Sequence, residues 1–384
     1  MLSLLLSECT KLTSLIMVQH ESRLIVPRES LKPDLPDHPL ALTHLSWSAT
    51  FTLAYDHLLP HCPYLCSLTI GAPKRNQEQI EKVLEQCQSW CPRLKLLGLG
   101  LNAYHQQSDL DHYQRSFERY GASQQSGLSQ LSIDYWELSA TSAAACVSQA
   151  RGSLKSLKIL NGVDHPGRFW DACVSRMHTF STSLPLESLH FSSDRQELTP
   201  TSSLPTFLEQ CTALKSLTLK GMSFTDFSLA RALAKTPHLE YISLTDIDRS
   251  NEPFDDFYSH QPRQPLGLEP VQLPHLQTLD IENSSIATDT LLGVMQAMES
   301  LTYWKLWRCE DASASTLASF VGQSPQLQCA FLFRVQHLDD AAVLKMTQLP
   351  SLTRVSFLYC PKVSRVGVKA LQVIGKNVIF KHDV

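Results

Sequence analysis

Apolar residues recur along the chain in one short phrase, in which a leucine is followed by further apolar residues three and five positions later. The phrase occurs about 13 times, most often at intervals of roughly 25 to 29 residues. The copies are Leu12/Leu15/Met17, Leu42/Leu45/Trp47, Leu65/Leu68/Ile70, Leu94/Leu97/Leu99, Leu128/Leu131/Ile133, Leu154/Leu157/Ile159, Leu186/Leu189/Phe191, Leu214/Leu217/Leu219, Leu239/Ile242/Leu244, Leu276/Leu279/Ile281, Leu301/Trp304/Leu306, Leu327/Ala330/Leu332 and Leu352/Val355/Phe357. Self-similarity at this period is typical of leucine-rich repeats.

Each phrase has the spacing of a short strand inside a repeating unit. Its last two apolar residues lie two positions apart, so they share one face of a strand while their neighbours point to the opposite face. Between phrases the spacing becomes helical, as in Ile80, Val83, Leu84 and Cys87, and in Leu229, Leu233 and Ala234. The pattern predicts an α/β fold, a right-handed leucine-rich-repeat solenoid (horseshoe) with a parallel concave sheet and outer helices.

The repeats predict a single domain over residues 1–384, interrupted by insertions at 101–127, 160–185 and 246–275. The third insertion contains five prolines, which argue against regular structure. It also contains Phe254, Phe257 and Tyr258, aromatic residues that are unfavourable in water. Two interpretations of this segment stay open, a disordered surface loop and a binding element that projects from one face.

A second phrase precedes several of the predicted strands. A small residue is followed by proline at Cys62, Cys91, Thr236 and Ser324, and Leu349 has the same place in its repeat. Cys9 and Cys211 occupy this slot without the proline. Proline at this point ends a helix and directs the chain into an extended strand, and a small thiol fits a tight seam between stacked units.

These phrases carry a resemblance to a known family. The segments Leu84–Cys87, Cys91–Leu99 and Cys360–Leu371 resemble the cysteine-containing leucine-rich repeats of F-box proteins, most closely those of fungal F-box/leucine-rich-repeat proteins, within the ribonuclease-inhibitor-like superfamily. The likeness covers nearly the whole chain. It implies a substrate receptor of a cullin-RING ubiquitin ligase.

The chain has no recognisable F-box, the helical module that opens with a Leu-Pro phrase in that family. The segment 35–40 is the only candidate, and the repeat that starts at Leu42 follows it at once. The chain also opens inside a repeat. We expect either that the array has lost its F-box or that the gene model begins late, and a cullin-RING ligase adaptor is an expected partner if an F-box lies upstream.

Composition narrows the class of partner and the compartment. With 33 basic and 37 acidic residues the net charge is -4, which gives no reason to expect nucleic acid or an anionic membrane as the partner. The 11 cysteines are an odd number scattered over a long chain, unlike the disulfide framework of a short secreted domain. We therefore expect buried, reduced thiols in an intracellular protein, either cytoplasmic or nuclear.

Catalytic and metal-binding chemistry is poorly represented. Cys62, Cys66, Cys87 and Cys91 suggest a zinc site, but their spacing is not the usual C-x2-C, and the repeat explains Cys62 and Cys91 as equivalent positions of adjacent units. No glycine-rich phosphate loop and no local nucleophile-and-base signature are present. We expect no enzyme activity, no cofactor and no metal.

The candidate binding surface lies on the free side of the C-terminal strands. Residues at the outward positions there, or directly after them, combine aromatic rings with arginine and lysine, the composition of energetic hot spots at interfaces. The predicted partner-binding residues are Tyr303, Lys305, Trp307, Arg308, Phe331, Phe333, Arg334, Arg354, Leu358 and Tyr359. The strand before them offers Thr278, Asp280 and Glu282 instead. A second interpretation is that a terminal cap or the 246–275 segment covers these rings.

Taken as a whole, the pattern predicts a protein–protein interaction module that holds a protein substrate or ligand on its concave C-terminal face. A substrate receptor of an F-box-type ligase, or a remnant of one, is the first interpretation. The alternative is a leucine-rich-repeat scaffold or enzyme regulator, of the inhibitor or GTPase-activating type, unrelated to ubiquitin. Regulators of that type resemble this chain less, because their repeats are more regular and carry asparagine at the turn.

Overall fold

The computed structural model describes residues 11–18, 38–48, 58–71, 87, 89–100, 127–134, 140–161, 163, 165–177, 183–193, 203–224, 228–249, 271–284, 288–296, 298–309 and 312–381. The chain divides into two compact units, Met1–Met177 and His178–Val384. The boundary falls inside the predicted insertion at 160–185. One domain of about 13 repeats over residues 1–384 stays a prediction, as does the insertion at 101–127, of which all but Gly127 lies outside the described residues.

The first unit is built on parallel strands that pair in chain order. They are β1 (Ser14–Val18), β2 (His44–Ser48), β3 (Ser67–Gly71), β4 (Leu96–Gly100), β5 (Gln130–Asp134) and β6 (Ser156–Leu160). A 3-10 helix spans Leu59–His61, and two longer helices follow, α1 (Ala140–Ala150) and α2 (Pro166–Met177). Helix α2 occupies part of the predicted 160–185 insertion, so that segment contains regular structure.

The second unit repeats the same arrangement. Its five-residue strands are β7 (Ser188–Ser192), β8 (Ser216–Lys220), β10 (Tyr241–Thr245), β13 (Thr278–Glu282), β15 (Tyr303–Trp307), β16 (Cys329–Phe333), β17 (Arg354–Leu358) and β18 (Asn377–Lys381). Two-residue strands lie between them at β9 (Ser223–Phe224), β11 (Asp248–Arg249), β12 (Val271–Gln272) and β14 (Met295–Gln296). The helices are α3 (Ser203–Glu209), α4 (Ser228–Leu233), α5 (Thr288–Val294), α6 (Ala314–Gly322), α7 (Asp340–Met346) and α8 (Arg365–Val373). The five-residue strands pair in parallel and in chain order.

The structure confirms the predicted fold class. Each of the 13 phrases places its last two apolar residues at the second and fourth positions of a five-residue strand. In the second unit Leu217 and Leu219 are fully buried there, and Trp304 on β15 packs with its ring 4.8 Å from the ring of Phe320 on α6. Parallel strands with helices packed on their apolar side define an α/β leucine-rich-repeat solenoid.

The sequence pattern did not predict the five-residue strand β18. β18 pairs with β17 and buries Val378 and Phe380 only in part. The position that carries leucine in the other phrases is Gly375 here, with a φ of 79°. Because the first apolar residue of the phrase is missing, periodicity alone does not reveal this strand.

The small residue before each strand has a defined role in the described repeats. The thiol of Cys62 donates to the carbonyl of Leu58 at 3.3 Å, and that of Cys211 donates to Phe207 at 3.3 Å. In other repeats a hydroxyl replaces the thiol, as in Ser324, which donates to the carbonyl of Phe320 at 3.1 Å. The last carbonyls of a helix have no partner within the helix, so each of these side chains satisfies one of them at a buried seam.

The segment 246–275 is ordered at both of its ends. Asp248–Arg249 pairs with Ser223–Phe224, and Val271–Gln272 pairs with Met295–Gln296. Residues 250–270, including the predicted aromatic residues, lie outside the described residues. Among the helices that are described, none combines the length and apolar character needed to cross a bilayer.

Candidate functional site

The predicted binding residues lie on the side of the C-terminal strands that faces away from the core. On β13, β15 and β16 the first, third and fifth side chains are partly exposed, and the second and fourth are buried. Strand register places Trp307 beside Phe333 and Lys305 beside Phe331. We call this side of β13, β15, β16, β17 and β18 the open face.

Four aromatic side chains meet on the open face and at the end of its strands. The rings of Trp307 and Phe333 are nearly parallel, at 13°, with centroids 3.9 Å apart. The ring of Phe331 also stacks on that of Trp307, with centroids 5.8 Å apart. The ring of Tyr359 meets that of Phe333 edge-on, with centroids 5.4 Å apart. These contacts on neighbouring strands form what we call the aromatic cluster, namely Trp307, Phe331, Phe333 and Tyr359.

Lys305 lies between this cluster and two carboxylates of the preceding strand. Its ammonium group donates to Asp280 at 3.2 Å and also to Glu282. It lies 5.9 Å from the centre of the Trp307 ring. Lys305 therefore joins the acidic strand β13 to the aromatic cluster, and its charge is already compensated by the two carboxylates.

The pKa values of this group follow from burial and from the ion pairs. Burial raises the pKa of Asp280, and the neighbouring Lys305 only partly offsets that effect. Burial by itself lowers the pKa of Lys305, but the hydrogen bond to Glu282 and the charge of Asp280 outweigh it, so that the net shift is upward. The second oxygen of Asp280, Oδ1, is buried and has no hydrogen-bond partner among the described residues. Asp280 is thus held in a less favourable environment than its partner Lys305.

The five-residue strands β8, β10, β13, β15, β16 and β17 are each followed by a residue in the left-handed region. After β15, β16 and β17 these residues are Arg308, Arg334 and Tyr359, with φ values of 54°, 50° and 58°. Their backbone N–H groups each donate to the last carbonyl of the next strand, at 2.8 to 2.9 Å. The equivalent residues of preceding repeats are Gly221, Asp246 and Asn283, types that adopt this conformation more easily.

Three arginines around the aromatic cluster differ from Lys305 in having no carboxylate partner among the described residues. Arg308, Arg334 and Arg354 are exposed, and none of them forms an ion pair within the part of the chain that the structure describes. The Arg334 guanidinium lies 5.5 Å from the Phe333 ring and 5.9 Å from the Tyr359 ring. Lys381 on β18 lies 5.1 Å from the Tyr359 ring.

The ten predicted residues thus occupy one region of the second unit. The aromatic cluster, Lys305 and Arg334 are in mutual contact. Tyr303 and Arg354 flank Cys329 in the strand register, Leu358 pairs with Phe333, and Arg308 follows Trp307 directly. Sequence reasoning did not include Lys381 because β18 itself was not recognised. Partner binding by these residues stays a prediction.

An open cleft at the starting ends of the strands is a second surface feature. It is lined by Glu187, Lys215, His238, Glu240 and His275, among others. Lys215 pairs with Glu187 at 3.3 Å, and the His238 and His275 rings stack with centroids 6.1 Å apart. The charges of Lys215 and Glu187 thus compensate each other. Stacked side chains also occur before other strands, as with the Arg93 guanidinium, which lies 5.3 Å from the centre of the Tyr64 ring.

The cysteines that suggested zinc lie in structural positions. Burial raises the pKa of Cys62 to about 12, with the nearby Cys91 as a smaller contribution, and raises the pKa of Cys91 to about 11. A metal ligand must be a thiolate, so burial works against binding. In the described ranges of the chain, no three histidine, cysteine or acidic side chains converge in a way that could hold a metal ion.

Comparison with known proteins finds similarity among solved structures. No family model matches the chain, and no curated protein matches it. Among solved structures the chain is similar to one in the crystal structure of the Rad7 and Elc1 complex in yeast, with 14% sequence identity and a TM-score of 0.37. The match covers 91% of this chain and 82% of that chain. The class of the protein is defined by its own repeat geometry, a leucine-rich-repeat solenoid.

Proposed function

We propose that the chain is a protein–protein interaction module that binds its partner through the open face of the second unit. The observation that carries this proposal is the stack of Trp307 on Phe333 at the surface of the sheet. Both rings are partly exposed, although Trp304 and Leu306 beside them are fully buried. Clustered aromatic surface of this kind usually marks an interaction site, and tryptophan and arginine are enriched among the residues that dominate binding energy.

The polar groups of the open face support binding rather than catalysis. Lys305 forms ion pairs with both Asp280 and Glu282. The thiols of Cys62 and Cys211 are buried and act as hydrogen-bond donors to helix carbonyls. We therefore propose a non-enzymatic role, in the cytoplasm or the nucleus, with a protein as the ligand.

Within this class, the finer proposal is a substrate receptor of an F-box-type cullin-RING ubiquitin ligase, or a remnant of one. Its support is the resemblance of the cysteine-containing repeats, such as Cys360–Leu371, to those of F-box proteins. A scaffold or an enzyme regulator on the same fold is the alternative. Co-purification separates them, because cullin-adaptor subunits indicate a ligase receptor and a single stoichiometric enzyme indicates a regulator.

The test of the binding proposal compares the wild-type chain with Trp307→Ala and Phe333→Ala. Proteins retained from a cell lysate are identified, the principal one is purified, and its affinity is measured by titration. We expect each substitution to weaken binding by about 2 kcal/mol or more, or roughly 30-fold. Thr218→Ala is the matched control, because Thr218 is partly exposed at the middle position of β8, outside the open face, where its neighbours in register are His190 and Ser243.

Circular dichroism of each variant separates loss of the site from loss of the fold. Folded Trp307→Ala and Phe333→Ala variants that bind the purified partner as tightly as the wild type contradict the proposal. Unfolded variants contradict it as well, because the rings then belong to the core. In that case the assignment of buried and exposed positions on β15 is off by one residue.

A further inference from the structure

We infer that the partner segment held by this face is acidic, with carboxylates directed at Arg308 and Arg334 and an apolar side chain on the aromatic cluster. The inference rests on the proposed function and adds the chemistry of the ligand and its orientation. Its support is that Lys305 is ion-paired while Arg308 and Arg334 form no ion pair among the described residues, together with the position of the aromatic rings.

Charge on the open face changes sign from one strand to the next. β13 carries Asp280 and Glu282, and both are partners of Lys305. Strands β15, β16, β17 and β18 contain no aspartate or glutamate. Lys305 is therefore already paired, whereas Arg308 and Arg334 form no ion pair among the described residues. An acidic ligand is repelled at β13 and attracted at Arg308 and Arg334.

The two arginines are placed to act on one short segment. Arg308 and Arg334 directly follow β15 and β16. Neighbouring strands of a sheet lie about 4.8 Å apart. Their backbone N–H groups are bonded to Phe333 and Leu358, so the chain is held at both points while the side chains remain exposed. A planar guanidinium binds a carboxylate through two parallel hydrogen bonds, which favours arginine over lysine at such a site.

Residue type at these positions also favours recognition over stability. Arginine occupies the left-handed conformation at two successive strand ends where Gly221, Asp246 and Asn283 occupy it elsewhere. That conformation is unfavourable for a long side chain, so the local backbone alone does not explain arginine there. The two arginines directly follow Trp307 and Phe333 of the aromatic cluster, which supplies the apolar surface for an anchor.

The experiment uses the full chain and labelled synthetic probes in fluorescence anisotropy. The main probe is a short peptide with aspartates flanking one phenylalanine, and the control probe has asparagine in place of each aspartate. We expect tighter binding of the acidic probe, an affinity that falls as salt concentration rises, and a loss of about fivefold for each of Arg308→Gln and Arg334→Gln. Arg365→Gln is the matched control, since it removes the same charge from the exposed start of α8.

Three outcomes overturn the inference. The asparagine probe binds as tightly as the acidic one, a single-stranded oligothymidylate binds more tightly than either, or Arg308→Gln and Arg334→Gln leave the affinity unchanged. If Trp307→Ala still abolishes binding of the purified protein partner in that last case, the proposed function stands and only the acidic chemistry is wrong. If Trp307→Ala also has no effect, the proposed function fails with it.

Discussion

A β-carbon added to Gly221 would lie 1.8 Å from the carbonyl oxygen of Ser193 in the preceding repeat. Gly221 follows β8 with a φ of 67°, and its N–H donates to the carbonyl of Thr245 at 3.0 Å. Two requirements therefore meet at this residue, a left-handed backbone and the close approach of a neighbouring main chain. Glycine alone satisfies both.

Gly221→Ala is expected to destabilise the protein more than Gly375→Ala. Gly375 also has a positive φ, of 79°, but an added β-carbon there meets no atom within 4 Å. The Gly375 variant should lose about 1 to 2 kcal/mol from the backbone conformation alone, and the Gly221 variant should lose that amount plus the displacement of the Ser193 backbone. Urea unfolding of both variants measures the difference. Equal losses of unfolding free energy in the two variants would show that the backbone at Ser193 moves to accommodate the methyl group at no cost.

Arg308→Gly is expected to raise stability, while Arg334→Gly should change it little. Both substitutions relieve an unfavourable left-handed conformation, a gain of about 1 kcal/mol. Arg334 also lies over the Phe333 and Tyr359 rings, and loss of those contacts at an exposed site removes about 0.5 to 1 kcal/mol. Asn283→Gly is the control, since asparagine already tolerates this conformation. A lower melting temperature for Arg308→Gly would contradict the account of the strand ends.

Leu217→Ala is expected to cost roughly 2 to 5 kcal/mol, because it removes a fully buried side chain and leaves a cavity between repeats. Leu344 provides the matched control, since it is 51% exposed on α7 and its replacement by alanine should change stability by no more than about 0.5 kcal/mol. Thermal unfolding followed by circular dichroism compares them. Equal melting temperatures would mean that the repeat at β8 is out of register.

Asp280 gives the open face a pH dependence of known sign. Its pKa is raised in the folded chain, mainly by burial, so the folded state holds this proton more tightly than the unfolded state. The stabilisation from this group is therefore fully present below the unfolded pKa and is lost as the pH rises through the folded pKa. The free energy of unfolding of the wild type, minus that of Asp280→Asn, should decrease from acidic to neutral pH. An increase over that range would reverse the assignment.

Protein purified under reducing conditions is expected to contain no stoichiometric zinc. Cys62 and Cys91 have strongly raised pKa values, and the Cys62 thiol donates to a helix carbonyl rather than facing a ligand. Elemental analysis measures the metal content directly. About one equivalent of zinc, absent from the Cys62→Ser and Cys91→Ser variants, would identify a metal site in this seam.

Periodicity predicted the five-residue strands well because most of them, β3 to β8, β10, β13 and β15 to β17, bury two side chains at a spacing of two. The spacing held even where alanine or tryptophan replaced leucine, as at Ala330 and Trp304. The strand ends could not be predicted in the same way. Gly221 and Asn283 are typical of a left-handed residue, but Arg308 carries no such signal, and its conformation follows from the bond to the Phe333 carbonyl.

The candidate site was predictable in position but not in its internal contacts. Alternation along β15 and β16 indicates that Trp307 and Phe333 share a side of the sheet. It does not indicate that the ammonium group of Lys305 bonds to Asp280 and Glu282, where it is already paired before a ligand binds. The rotamer of Lys305 depends on the carboxylates of the preceding strand. The sequence of a single repeat therefore does not determine it.

The hydrogen bonds at the strand ends connect each repeat to the one after it. The N–H groups of Gly221, Asp246, Asn283, Arg308, Arg334 and Tyr359 each bond to the last carbonyl of the following strand. Deuterium uptake at these amides therefore reports, one junction at a time, whether the next repeat is in place. Fraying that begins at β18 would expose Tyr359 first and Arg334 next, so the order of exchange would show the direction in which the second unit comes apart.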